Sequence, residues 1–216
     1  MIDKFVNISS CRIKEVKMAR GSPRQLEKIK DERRRQILSA AVTIFAYQGL
    51  AAAKISDVAE AAGLSYGLVY HYYPSKEALY IAIVERALAG AEAVAKTARE
   101  YPGTPWDRLR FLMEQILDGA RQHPEYALVI TQLYASKSIP EEAQALIQKY
   151  GPITSQTITS LIRQGQEAGQ IFAGNPEELA AILNCIIQGI VNVTMQGPLE
   201  ELVYPSVDTV MRFLKP

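Results

Sequence analysis

The sequence predicts an all-α protein, and three observations carry that prediction. Apolar residues recur with a helical period along nearly all of the 216 residues, and no strand-length alternation interrupts them. Serines and prolines stand where helices would open, and glycines stand where they would close. The one strongly patterned stretch, residues 55–77, reads as two short helices around a glycine turn followed by the capped start of a third.

The elements follow in order. Ser22-Pro23-Arg24-Gln25 is a helix-start signature: a Ser cap, Pro at the first helical position and Gln three residues after the cap. Leu26, Ile29, Ile37, Ala41, Ile44 and Phe45 then share a face, and Gly49 ends the helix. Short helices are expected over 55–62 and 66–72. Ser75 caps a fourth that passes Leu79, Ile83 and Leu88 toward Arg99, where Pro102 and Gly103 break it. Pro105, Pro124, Pro140, Pro176 and Pro205 each open a further helical segment. Leu109, Leu112, Met113, Ile116 and Ala120 form an inward stripe, and residues 126–134, apolar nearly all round, predict a central buried helix. Gly151-Pro152 is expected to kink or interrupt a long helix over 141–168. Residues 179–193 read as a strongly apolar helix, and Val207, Val210, Met211 and Leu214 as the seam of a last one.

Composition bounds the function. Apolar residues make up 48% of the chain and mean hydropathy is −0.03, as in an ordinary water-soluble globular protein. The apolar run over 180–195 is broken by Asn184, Gln188, Asn192 and Thr194 and falls short of a membrane span. Residues 1–10 lack the apolar core of a signal peptide. Cys11 and Cys185 lie far apart, with no disulfide scaffold or metal-ligand spacing. A reducing cytoplasm, no membrane, no metal and no cofactor are the expectations. The net charge of +1 hides an asymmetry: residues 1–86 carry 14 Lys/Arg against 9 Asp/Glu, and residues 87–216 carry 10 against 14. A basic N-terminal part suits phosphate as its partner. Met18 is a plausible true start, because Lys14-Glu15-Val16 is encodable as a ribosome-binding sequence just upstream. Residues 1–17 are then either a mis-assigned extension or an authentic arm. The expected division is an arm over 1–21, a helix-turn-helix unit over 22–74 and a larger helical unit over 75–216.

Within residues 50–80 each residue type has a task. Val58, Ala59, Ala62, Leu64, Leu68 and Val69 pack two short helices on the first, and Gly63 supplies the left-handed turn between them. Ser65 caps the second short helix and counts among the DNA-binding candidates. Gly67 is poor helix material, by about 1 kcal/mol relative to Ala, and close approach of backbone to DNA would compensate. Tyr66, Tyr70, His71 and Tyr72 offer hydroxyl, imidazole and ring surfaces to phosphates, base edges and thymine methyls. Lys76, beside a free helix N-terminus, and Lys54 are phosphate candidates. Tyr73 reads as a core aromatic. Arg33, Arg34 and Arg35 are either a solvated helix face or phosphate contacts.

This stretch resembles the tetracycline-repressor (TetR) family of bacterial regulators. The resemblance rests on Val58-Ala59-x-x-Ala62-Gly63-Leu64-Ser65-x-Gly67-x-Val69-Tyr70-x-Tyr72-Tyr73-x-Ser75-Lys76-Glu77-x-Leu79, preceded by Ile37-Leu38-x-Ala40-Ala41 and Phe45-x-x-x-Gly49. It covers about residues 33–80; beyond them only length and helical pattern agree. It implies DNA contacts from Tyr66, Gly67, Tyr70, His71 and Tyr72, with Lys76 on phosphate. One departure stands out: the family commonly has Thr where this chain has Ala53 and Lys54, so the usual hydroxyl cap is missing.

The resemblance also implies a homodimer joined through the last two long helices of each subunit, a double-stranded operator, and a ligand cavity in the larger part. Candidate lining residues are Met113, Gln115, Ile116, Tyr126, Ile130, Tyr134, Tyr150, Thr154, Thr157, Ile158, Asn184 and Gln188, polar or aromatic groups on otherwise apolar faces. Asn184 and Gln188 would meet ligand or pair across the dimer. The expected function is a repressor released from a palindromic operator by a small, moderately hydrophobic ligand, with the fourth helix as lever. The alternative is an architectural or partner-controlled DNA-binding protein without a small-molecule effector. No catalytic constellation surrounds His71 or His123, so an enzyme is not expected.

Overall fold

The computed structural model describes residues 22–136, 139–194 and 204–216. The expectations about residues 1–21, including Cys11 and the Met18 start, lie outside the described residues. Among the described residues nine α-helices run in chain order: α1 Pro23–Ala52, α2 Ile55–Ala61, α3 Tyr66–Tyr72, α4 Lys76–Glu100, α5 Pro105–Gln122, α6 Pro124–Ala135, α7 Glu141–Glu167, α8 Pro176–Thr194 and α9 Val207–Val210. A 3-10 turn over Arg212–Leu214 closes the chain, and no strand occurs among the described residues.

Local chemistry sets the helix starts. Ser22 and Gln25 form a reciprocal capping box, with the Ser22 N–H donating to Gln25 Oε1 at 3.0 Å. Thr104 and Asp107 form another at the start of α5, and those bonds hold the Asp107 carboxyl below its usual range. Ser75 Oγ accepts from the Ala78 N–H at 3.0 Å and so opens α4. Ser75→Ala should therefore cost about 1 kcal/mol of unfolding free energy in urea titration; an unchanged midpoint would show the cap to be idle.

The packing has two centres. The first unites α1, α2, α3 and the N-terminal half of α4 with Val129 and Leu133 of α6 and Ala143 of α7. Phe45 is fully buried there and meets Tyr80 edge-on, ring centroids 5.5 Å apart. The second joins α5, the C-terminal half of α7, α8 and the C-terminal turn to Ala98 at the far end of α4. Helix α4 thus belongs to both, and apolar packing does not break at residue 74. Near that far end the Arg99 guanidinium donates to the buried Thr157 hydroxyl at 2.7 Å.

Four expectations are corrected. Leu26 and Ile29 are 50% and 56% exposed, because α1 is longer than the helices that cover it and enters the core only near Ile37. Helix α6 is half-covered; only Val129 and Leu133 are buried, since it lies on one flank of the first core. Helix α7 runs without interruption through Gly151-Pro152. The last helix is a single turn, and Val207, Val210, Met211 and Leu214 fill the second core of their own chain instead of forming an intermolecular seam. Helix α1, by contrast, is broken where expected: Gly49 takes φ 74° and ψ 165° inside it.

Candidate nucleic-acid interface

Helices α2 and α3 form a helix-turn-helix seated on α1. Ile55, Val58, Ala59 and Val69 are buried against Ile37, Ala41 and Phe45. Gly63 turns the chain at φ 63°. Gln36 of α1 secures this corner, its side-chain N–H donating to the Ala62 carbonyl at 2.6 Å. Ser65 Oγ accepts from the Leu68 N–H at 3.3 Å, which starts α3 as the sequence reading expects.

Burying Val69 fixes which face of α3 looks outward. Tyr66 is 54% and Tyr70 37% exposed, and Gly67 and His71 lie beside them in solvent. The two tyrosine rings lean together with centroids 4.7 Å apart, and the hydrogen bond between their hydroxyls raises the Tyr70 pKa. A Cβ on Gly67 would meet nothing within 4 Å. Nothing inside the protein requires a glycine there.

Other candidates sit differently. Tyr72 is half-buried and packs on the first core beside Tyr73, so much of its ring is committed to packing and only part of it faces solvent. Burial is also what raises the Tyr73 pKa. Lys54 is exposed at the N-cap of α2 with no side-chain cap bond, and Ala53 is buried, so the missing hydroxyl is not replaced in its capping role. Lys76 turns inward: Nζ donates to the Ala51 carbonyl at 3.0 Å and ties the start of α4 to the end of α1. Arg33 donates to Gln36 at 2.7 Å, and Arg34 and Arg35 pair with Asp31 and Glu32 at 3.6 and 3.0 Å along an exposed face. Gln36 went unnoticed in the sequence reading; its signal is an amide placed one residue before the buried Ile37.

The ligand candidates fall into three settings. Tyr126, Ile130 and Tyr150 pack at the edge of the first core, with Tyr134 53% exposed on the same flank. Met113 and Ile158 are fully buried in the second core, Ile116 lies at its edge, and Thr157 is buried and donates to the Ile153 carbonyl at 2.8 Å. Thr154 and Asn184 are half-buried, the Asn184 amide 3.5 Å from Ser155 Oγ, whereas Gln115 and Gln188 are exposed. An open groove of about 540 Å³ lies elsewhere, between Ile186 and Ile190 of α8 and the Pro205–Phe213 stretch.

An exposed reading helix on a helix-turn-helix, carried by a larger all-helical body, defines a DNA-binding transcriptional regulator. Residues 37–83 match the family model of bacterial regulatory proteins, tetR family. The chain is 30% identical to the HTH-type transcriptional regulator EthR of Mycolicibacterium smegmatis, over 71% of this chain and 70% of that one. It is also 30% identical to the HTH-type transcriptional regulator RutR of Escherichia coli, over 76% and 90%. Matches to several other curated regulators span 50–64% of those proteins' lengths. Among solved structures it resembles a transcriptional regulator from Saccharomonospora viridis in complex with choline, with TM-score 0.67 and 24% identity over 85% and 94% of the chains. This protein belongs to the tetR family.

Proposed function

We propose that this protein is a homodimeric repressor that holds a palindromic operator through α3 and is released by a small, moderately hydrophobic molecule. The observation that carries the reading is the outward face of α3. It presents Tyr66, Tyr70 and His71 around a glycine that the fold itself does not need. Residues 22–74 act as the DNA-binding unit and residues 75–216 as the sensing and dimerising body, in the cytoplasm and without catalysis. The dimer is supported by α8, whose outer face leaves Ile182 46% and Val193 50% exposed, with Cys185 and Gly189 between them. A small-molecule effector is supported by the choline complex of the Saccharomonospora viridis protein. The α7–α8 region around Asn184 and Thr154, together with Tyr126 and Tyr150, is the proposed contact region.

Selection from random duplex DNA should yield a palindrome, and affinity for it should fall with log salt at a slope of about −0.9 per phosphate neutralised. Tyr70→Ala should weaken that operator by about tenfold or more while helix content and dimer mass stay unchanged, because it removes a base-facing contact of roughly 1–3 kcal/mol. Unchanged affinity would remove Tyr70 from the interface. A screen of small molecules that finds none altering operator affinity would favour the architectural or partner-controlled reading instead.

A further inference from the structure

The end of α1 is where the body grips the DNA-binding unit. Gly49 breaks the helix there, and a helix end leaves its last four carbonyls without intrahelical donors. Two side chains from the body supply donors to carbonyls flanking the break. Lys76 of α4 reaches Ala51, and the Gln132 side chain of α6 donates to the Ala46 carbonyl at 2.8 Å. Ala46 is itself buried, and Gln132 is half-buried between Val129 and Leu133, which anchor α6 in the same core. The turn held by these bonds leads directly into α2, whose N-cap Lys54 contributes no side-chain bond of its own. Packing on α1 and the Gln36–Ala62 bond seat α2 and α3, but the junction that leads into them is held in part by bonds made from outside the DNA-binding unit.

We infer that Gln132 is a positioning residue: through the Ala46 carbonyl, α6 sets the angle at which the body presents α3, and so the spacing between the two reading helices of a dimer. This makes α6 a second route between body and DNA-binding unit, beside α4. The inference rests on the operator-binding reading above.

The test compares wild type with Gln132→Met, which keeps length but cannot donate, and Gln132→Lys, which again offers an N–H. The probe is the operator that the wild-type protein itself selects, used intact, with one base pair inserted at its centre, and as an isolated half-site. Gln132→Met should bind the intact operator about fivefold more weakly, the worth of one neutral hydrogen bond. Its half-site affinity should be unchanged, so discrimination against the inserted base pair narrows, and Gln132→Lys should restore it. A general loss of stability would lower affinity for all three probes alike. Wild-type spacing discrimination in Gln132→Met would overturn the inference. If wild type selects no palindrome, it is the dimeric operator reading that fails. Amide exchange of residues 46–53 in the free protein then decides the strut: faster exchange in Gln132→Met supports it, and equal exchange overturns it.

Discussion

Replacing Gly67 with leucine is expected to abolish useful operator binding while leaving the protein folded. A Cβ at this position enters open space, so neither the α2–α3 packing nor the cap at Ser65 is disturbed. Gly67 stands in the first turn of α3, so replacing it gains at most the roughly 1 kcal/mol that a glycine costs in a helix interior. On the proposed DNA side the same branch is expected to hold α3 away from the groove floor and to pull the flanking Tyr66 and Tyr70 out of register. The expected loss is on the order of 100-fold in affinity, comparable to one or two good base contacts at roughly 1–3 kcal/mol each. Gly67→Ala should show the same opposition on a smaller scale, with a slightly higher melting temperature and weaker DNA binding. Calorimetric melting and operator titration on one sample read both effects. Wild-type affinity in Gly67→Leu would mean that α3 does not approach DNA along this face.

Phe45→Ala should be the most destabilising single truncation of the DNA-binding unit. The ring is completely enclosed, packs edge-on against Tyr80, and occupies the cluster where α1, α2, α3 and α4 converge. Emptying such a site removes the transfer energy of the ring and leaves a cavity that rigid neighbours cannot close, for about 3–5 kcal/mol. Denaturant unfolding measures it directly. Phe45→Leu, which keeps most of the volume, should cost much less. A loss below about 1 kcal/mol for Phe45→Ala would show that the convergence point collapses around the deletion and is not closely packed.

Much of this protein was legible because the signals that start and stop helices act within four residues. Ser22 with Gln25, Ser65, Ser75 and the glycine at 63 each did what its local chemistry dictates. The exposed side of α3 was legible in part: with Val69 buried, Tyr70 and His71 fall toward solvent, whereas Tyr66, three residues from Val69, is exposed because it stands in the first turn, beyond the packing on α1. The ligand candidates were less legible. Polar residues on apolar faces look alike in sequence whether they bond within the core, as Thr157 does, or reach solvent, as Gln188 does.

The sequence alone determined the helical class, the register of the helix-turn-helix and the family, since all three are written in periodicity, caps and closely spaced motif residues. It also located the break at Gly49, because a glycine that ends a helix is a local matter. Tertiary structure alone decided what covers each apolar stripe. Leu26 and Ile29 extend past their cover, and Val207 to Leu214 turn into their own chain. It alone decided where the long polar side chains go, turning Lys76 to a carbonyl 25 residues away and Gln132 to one 86 residues away. Periodicity shows which face of a helix is apolar. Only the packed fold settles which neighbour that face meets, and which distant carbonyl a long side chain reaches.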